Sequence, residues 1–149
     1  MVSWFNREEK FPNEIFNVPV KELGLYDEIN GEEVLVETIA VCDLTNDEYV
    51  KLQHDPFLSD YPGSLSDKSS PKNQAYTMLI TWWRMKKAHE KLGVAFALTP
   101  NKMMKWSITR SGDLAIAIKE HLESVAKKSK SSQGQESSKQ SGTPANTQT

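Results

Sequence analysis

The stretch from Ser70 to Trp83 carries the strongest structural signals in this chain. Ser70 is a preferred helix N-cap, and Pro71 suits the first helical position, where its missing N–H costs nothing. Apolar side chains then recur at steps of three and four residues, which is the spacing of one helix face. These side chains are Ala75, Met78, Leu79, Trp82 and Met85. We expect a helix from Ser70 to about Lys87 that buries Leu79 and Trp82 almost fully and turns Trp83 towards a second neighbour or the surface.

Composition divides the 149 residues into three parts. Residues 127–149 are rich in Ser, Gln and Lys and hold no large apolar side chain, so we expect them to be disordered. Residues 1–17 carry several aromatic side chains around Pro12 and are expected to form an extended arm with at most a helical turn. Residues 18–126 remain as one folded domain.

Charge is unevenly placed along the chain. Residues 1–60 hold 14 acidic and 4 basic side chains, whereas residues 61–149 hold 6 acidic and 14 basic ones. Chance placement on a solvated surface would explain this, and so would two oppositely charged faces suited to head-to-tail association. The single Cys42 cannot form an internal disulfide, and neither a transmembrane stretch nor an apolar leader is evident. We therefore expect a cytoplasmic or nuclear protein with no membrane insertion.

Two segments before the central helix have competing interpretations. Val18 to Asn30 favours a short, marginal helix interrupted by Gly24. Asn30-Gly31 is a turn signal, and Glu32 to Val41 fits either a helix or a strand. The two acids at its start favour the helix, whereas its β-branched residues favour the second arm of a hairpin.

The remaining helix signals are local caps. Thr45 and Glu48 form a capping box that opens a short helix ending before Pro56. The central helix ends near Lys87 or continues to Leu92 with Gly93 as its stop. Two further helices are predicted, one after Thr99-Pro100 that includes Met103, Met104, Trp106 and Ile108, and one after Ser111-Gly112-Asp113. The fold class predicted from these elements is all-α, an antiparallel bundle of about six helices.

A longer pattern runs through these predicted helices. Ser-Pro-x-x-Gln-Ala-Tyr-x-Met-Leu-x-x-Trp occupies 70–82, Gly-Asp-Leu-Ala-x-x-Ile occupies 112–118, and the capped stretch 41–49 precedes both. Over roughly Val18 to Val125 this resembles the death-domain superfamily. The resemblance implies a six-helix bundle without catalysis, which recruits similar domains through charged patches in apoptotic or innate-immune signalling. The residues that carry the resemblance are Ser70, Pro71, Gln74, Ala75, Tyr76, Met78, Leu79, Trp82, Gly112, Asp113, Leu114, Ala115 and Ile118.

The residues of catalysis and metal binding do not form a recognisable pattern. His54, His89 and His121 have no His or Cys at ligand spacing, so no metal site is expected. Cys42 has no flanking signature of a nucleophile and is interpreted as a buried structural thiol. Glycine-rich phosphate loops are also missing from the sequence. We expect neither an enzyme nor a bound cofactor.

Nucleic-acid binding is the alternative function. Lys102, Lys105 and Arg110 flank Trp106, and a helix–turn–helix could span Thr99 to Leu122. Further cations follow at Lys127, Lys128 and Lys130. The apolar run of the last predicted helix suggests instead that this helix is buried.

The function expected from the sequence is that of an adaptor or scaffold in signalling. Its partners would be other death-domain-like proteins or a second copy of itself, bound through two charged surfaces. The acidic surface comprises Glu32, Glu33, Glu37, Asp47 and Glu48. The basic surface comprises Lys72, Arg84, Lys102, Lys105 and Arg110.

Overall fold

The structure, a computed structural model, describes residues 10–137, with side chains through residue 128. Within this range the chain forms four β-strands and then four α-helices, joined by loops and short 3-10 turns. The strands are β1 (Phe16–Pro19), β2 (Tyr26–Ile29), β3 (Glu32–Leu35) and β4 (Thr38–Val41). The helices are α1 (Asn46–Leu52), α2 (Pro71–Leu92), α3 (Pro100–Met103) and α4 (Ile108–Ser137). The chain divides into two compact units between Ile118 and Lys119, so the division falls within α4.

The prediction of an all-α bundle of about six helices is wrong. Two antiparallel two-stranded sheets, β1 with β4 and β2 with β3, take the place of the first predicted helices. Of the marginal helix predicted from Val18 to Asn30, a single 3-10 turn at Lys21–Leu23 remains, and left-handed Gly24 ends it. The fold class is therefore mixed, with helices and small sheets in one chain.

The turn at Asn30-Gly31 explains why residues 26–35 form strands. Asn30 has φ 54° and Gly31 has φ 82°, and a type I′ turn requires left-handed backbone at both central positions. A helix over Glu32 to Val41 would have placed Glu33 and Glu37 one turn apart, where like charges repel. Of the two interpretations that the sequence allows, the strand is the one that forms.

The second sheet, β1 with β4, joins the N-terminal strands to the helices. Its register sets Phe16 opposite Val41, and Val18 and Val41 are buried. β4 packs against α2. Directly after β4, the Cys42 N–H donates to the carbonyl oxygen of Arg84 at 3.0 Å. This sheet is therefore fixed to the central helix by packing and by a backbone hydrogen bond.

The central helix is confirmed and runs to Leu92, the longer of the two predicted ends. The Ser70 side chain accepts from the backbone N–H of Asn73, and Gly93 (φ 71°) stops the helix. Leu79 is buried as expected. Trp82 is only half-buried, so the prediction of its nearly complete burial is wrong. Its indole N–H donates to the carbonyl oxygen of Leu98 at 2.8 Å, which keeps the ring at the edge of the core.

The predicted capping box opens α1. The Thr45 hydroxyl oxygen accepts from the Glu48 N–H, and the Glu48 carboxylate accepts from the Thr45 N–H. The Tyr76 hydroxyl donates to the carbonyl oxygen of Tyr49 at 2.7 Å and so links α2 to α1. Burial raises the pKa of Tyr76 to about 12, so the hydroxyl keeps its proton at neutral pH. The core cluster of this region comprises Leu52, Leu58, Ala75, Tyr76 and Leu79.

Both predicted C-terminal helices form with changed boundaries. Thr99 caps α3 as predicted, but α3 is a single turn and Trp106 lies outside it. α4 begins at Ile108 and not after Ser111-Gly112-Asp113, since the Ser107 hydroxyl accepts from the Arg110 N–H and caps the helix earlier.

Predictions for the two termini fall partly outside the described residues. In the predicted arm 1–17, residues 1–9 lie outside, Phe11–Asn13 forms a 3-10 turn, and Phe16 joins β1. The sequence predicts fraying near Lys127, whereas α4 continues to Ser137. The remainder of the predicted disordered tail, residues 138–149, lies outside the described residues.

Replacing Leu79 by alanine should lower the free energy of unfolding by about 2–5 kcal/mol, because it leaves a cavity in the core cluster. Urea denaturation followed by circular dichroism measures this change. Thr77→Ala, an exposed position on the same helix, should change the free energy by less than about 0.5 kcal/mol. Equal effects of the two substitutions would contradict the assignment of Leu79 to the core.

Candidate protein-interaction site

A buried ion pair connects α1 to α2. The Lys87 ammonium lies 2.7 Å from a carboxylate oxygen of Glu48 and 2.9 Å from the carbonyl oxygen of Asp43. Lys87 is only 7% exposed, so its charge depends on these partners. The other carboxylate oxygen of Glu48 accepts from the Trp83 indole N–H at 3.2 Å. Trp83 thus reaches a second neighbour, as predicted.

A second ion pair fixes the segment that follows β4. The Arg84 guanidinium lies 3.3 Å from a carboxylate oxygen of Asp43. Among the residues that the structure describes, Arg84 Nε is buried without a hydrogen-bond partner. Together the two ion pairs fix residues 42–48 against α2.

The electrostatics of this network stabilise charged Glu48 and neutral Cys42. Burial alone would raise the pKa of Glu48, but hydrogen bonds from Lys87, Thr45 and Trp83 outweigh it and hold the pKa below its ordinary value. Burial raises the pKa of the Cys42 thiol, although the Lys87 and Lys91 charges oppose this shift. A protonated, buried thiol is a weak nucleophile, so the environment of Cys42 favours a structural role.

The hairpin of β2 and β3 exposes both of its faces. Three large apolar side chains are open to solvent, with exposed fractions of 63% for Tyr26, 52% for Ile29 and 42% for Val34. The hairpin also carries four acidic side chains and no basic one. These are Asp27, Glu28, Glu32 and Glu33. The hairpin therefore presents both apolar and acidic side chains to solvent.

The register of the hairpin places two carboxylates directly across from each other. Glu28 pairs with Glu33, so the two side chains lie on the same face. Like charges in directly opposite positions destabilise a sheet unless a cation lies between them. The other face of the hairpin carries Ile29 and Val34. Asp27 and Glu32 lie on this same face, because Asp27 pairs with Val34 and Glu32 pairs with Ile29.

A groove of about 270 Å³ lies between the N-terminal half of α2, α3 and the first turns of α4. This volume is below the roughly 300–1,000 Å³ of common small-molecule pockets. Methionine side chains are flexible and adapt to irregular partners, so the groove suits one or two side chains of another protein. Its apolar lining comprises Met78, Met103, Met104, Trp106 and Ile108, and its polar lining includes Lys68, Asn73, Gln74, Thr77 and Ser111.

Cations outnumber acids among the residues that line this groove or stand next to its lining in the sequence. Lys68 lines it, and four more cations stand next to lining residues in the sequence, against two acids, Asp67 and Asp113. These four cations are Lys72, Lys102, Lys105 and Arg110. Within residues 10–128, the side chains of Lys68, Lys105 and Arg110 make no hydrogen bond or ion pair. Their charges are therefore available to a partner.

The structure divides the predicted acidic surface between two elements. Glu32 and Glu33 lie on β3, and Glu37 follows it, whereas Asp47 and Glu48 lie on α1. Asp47 pairs with Lys51 at 2.9 Å, and Glu48 belongs to the buried network. Of the five residues predicted for this surface, Glu32, Glu33 and Glu37 have no such side-chain partner in the described part of the chain.

The predicted basic surface is divided in the same way. Arg84 pairs with Asp43, the Lys72 ammonium donates to the carbonyl oxygen of Leu58 at 2.7 Å, and the Lys102 ammonium donates to Ala97 at 3.2 Å. Lys105 and Arg110 remain exposed. The structure therefore selects these two, with Lys68, as the cations most open to contact.

Two further kinds of site are relevant to the described residues, a metal-binding cluster and a membrane-spanning helix. Within that range, no group of three or more His, Cys, Asp or Glu side chains could hold a metal ion. Among the described helices, none is both long enough and apolar enough to cross a membrane.

No family model matches this chain, and no curated protein or solved structure matches it either. The resemblance to the death-domain superfamily is therefore supported by none of these comparisons. The helical bundle that the resemblance implies is absent from residues 10–137, whose first strands form sheets.

Sequence reasoning missed several residues of the hairpin and the groove. Tyr26, Asp27, Glu28, Ile29 and Val34 belong to the hairpin, but the marginal helix predicted from Val18 to Asn30 concealed most of them. The signal that could have found them is Asn30-Gly31 between two short segments of strand-forming residues. The sequence pattern placed the groove residue Met104 in a predicted helix. That prediction gave no sign that Met104 lines an open groove.

Replacing Glu48 by glutamine should lower the free energy of unfolding at pH 7 by about 1–3 kcal/mol, because Lys87 then lacks its anionic partner. The folded-state pKa of Glu48 lies below its unfolded value, so the stabilisation is complete above the unfolded pKa, about 4.3. It is lost as the pH falls through the folded-state pKa. The difference between the two proteins should therefore shrink in acid.

Urea denaturation at pH 7 and at several acid pH values measures this dependence. Glu22→Gln serves as the control, because Glu22 is exposed and its loss should change stability by less than about 0.5 kcal/mol. A difference between the Glu48→Gln variant and the wild type that stayed constant down to low pH would contradict this account of the ion pair.

Proposed function

We propose that this protein is an adaptor-type binding module that contacts another protein through the hairpin of β2 and β3. The observation that carries the proposal is the exposure of Tyr26, Ile29 and Val34 among four carboxylates. Exposed apolar side chains grouped on one element favour association, because contact removes them from water. The carboxylates indicate that the partner surface is basic.

The local geometry of the hairpin also supports this proposal. An isolated two-stranded hairpin is marginally stable in water, and this one carries the repulsive pair Glu28 and Glu33. A cationic partner would remove that repulsion and cover Tyr26, which lies on the same face as the two carboxylates. The type I′ turn at Asn30-Gly31 presents the hairpin in a defined shape, which lowers the entropy lost on binding.

Nucleic-acid binding is a second candidate, and one observation favours it. Lys105 and Arg110 are exposed near the half-buried ring of Trp106, and single-stranded nucleic acids stack on aromatic rings beside cations. The predicted helix–turn–helix has little support, since α3 is a single turn. The carboxylates of the hairpin would repel a polyanion.

Photo-cross-linking tests the proposed function. Two variants of the full chain are expressed in the cells that naturally make this protein. One carries the photo-cross-linker benzoylphenylalanine in place of Ile29, and the control carries it in place of Val50. The two positions are 52% and 51% exposed, so they differ in location and not in accessibility. We expect discrete protein adducts from position 29 and none from position 50.

Equal adducts from both positions, or none from position 29, would rule out the hairpin as a binding element. Adducts to nucleic acid in place of protein would favour the second candidate. Mass spectrometry of the adducts distinguishes these outcomes.

A further inference from the structure

We propose that the partner of the hairpin is a second copy of this chain, whose groove between α2, α3 and α4 receives it. This proposal depends on the proposed function, since it names the partner of the same hairpin. Two copies would thus meet through different surfaces, the hairpin of one copy and the groove of the other.

Charge complementarity is the first argument. The hairpin has four acidic side chains and no basic one, whereas the residues that line the groove or stand next to its lining in the sequence include five cations and two acids. Lys68, Lys105 and Arg110 make no side-chain hydrogen bond or ion pair within residues 10–128. Asp27 and Glu32 lie on the same face as Ile29 and Val34, so cations beside the groove can pair with these two carboxylates while the aliphatic side chains enter it.

Complementarity of the apolar groups is the second argument. Ile29 and Val34 share one face of the hairpin. The groove offers Met78, Met104 and Trp106, and next to them Ile108 is 81% exposed. A space of about 270 Å³ suits the insertion of one or two such aliphatic side chains.

Two other arrangements fit the structure less well. Edge-to-edge pairing of two hairpins would bring eight carboxylates together, and charged edges of this kind prevent strand pairing. Insertion of the hairpin into the groove of its own chain conflicts with the exposure of Tyr26, Ile29 and Val34. Contact with a second copy pairs the acidic hairpin with cations and removes its apolar side chains from water.

A contact between two different surfaces is heterologous, so each bound pair of copies leaves one hairpin and one groove open. Such a contact forms rings or open chains rather than closed dimers. A ten-residue hairpin also makes a small interface, for which we expect weak association that falls with added salt.

Complementary charge reversals test this proposal on the full chain by sedimentation velocity over a concentration series at low salt. The hairpin variant carries Asp27→Lys and Glu32→Lys, and the groove variant carries Lys105→Glu and Arg110→Glu. We expect the wild type to form oligomers and each variant to associate at least about tenfold more weakly, because like charges then face each other.

Mixing the two variants gives the most specific result. The normal hairpin of the groove variant matches the normal groove of the hairpin variant, and the two reversed surfaces match each other in the same way. An equimolar mixture should therefore regain oligomers in which the two variants alternate, although each variant alone associates weakly. A single chain that carries all four substitutions should regain self-association, because both charges of the contact are reversed together.

Control variants match the change in net charge at other exposed positions. Glu22→Lys with Asp60→Lys corresponds to the hairpin variant, and Lys119→Glu with Lys127→Glu corresponds to the groove variant. Both controls should associate as the wild type does. Circular dichroism establishes that every variant is folded.

Three outcomes would overturn the proposal. They are a wild type that stays monomeric throughout, controls that weaken association as much as the hairpin and groove variants do, and a mixture that associates no more strongly than either variant alone. If the photo-cross-linker at Ile29 still captures a different protein, the proposed function stands and only the identity of the partner is wrong. Binding of a labelled oligonucleotide that is lost in the groove variant, without any self-association, would assign the groove to nucleic acid.

Discussion

A buried charge must be paired, and this requirement organises the helical part of the molecule around Lys87. Its ammonium joins the carboxylate of Glu48 on α1 to the carbonyl oxygen of Asp43 in the segment after β4. Movement of either partner would leave an uncompensated charge in a nearly dry site. Since α1 and the end of β4 share this one cation on α2, their positions cannot change independently.

The hairpin lies beyond the reach of that network and has a different source of order. Backbone bonds at its base, from Val36 N–H to Leu25 O at 2.8 Å and from Val20 N–H to Glu37 O at 2.9 Å, connect it to the sheet of β1 and β4. Its tip depends on the type I′ turn and on the cross-strand ladder. The chain therefore contains a firmly packed helical part and a hairpin whose side chains remain open to solvent.

Sequence reasoning succeeded where structure is decided locally. Capping by Ser70, Thr45 and Thr99 involves a side chain and a backbone N–H three residues away, so the sequence alone identifies it. The pairing of β1 with β4 joins residues far apart in the chain, and no local pattern announced it. Propensity within Glu32 to Val41 favoured neither state clearly, and tertiary pairing decided it.

The candidate site was only partly predictable for the same reason. Charge patterning identified Glu32, Glu33, Lys105 and Arg110 as surface residues, and these remain exposed. It also selected Glu48 and Arg84, which the fold uses in internal ion pairs. An acidic or basic residue in a sequence carries no sign of whether its partner lies inside the chain or outside it, because that depends on contacts across forty or so residues.

The expectation of association between like domains first came with a resemblance to an all-α family, and the architecture of this chain is different. Fold and function are separable, so the loss of the bundle does not by itself remove the function. What matters is whether a binding surface exists on the fold that forms. The hairpin supplies an acidic and apolar element, and the groove supplies a basic and adaptable one, on parts of the chain that the buried ion pairs leave unengaged.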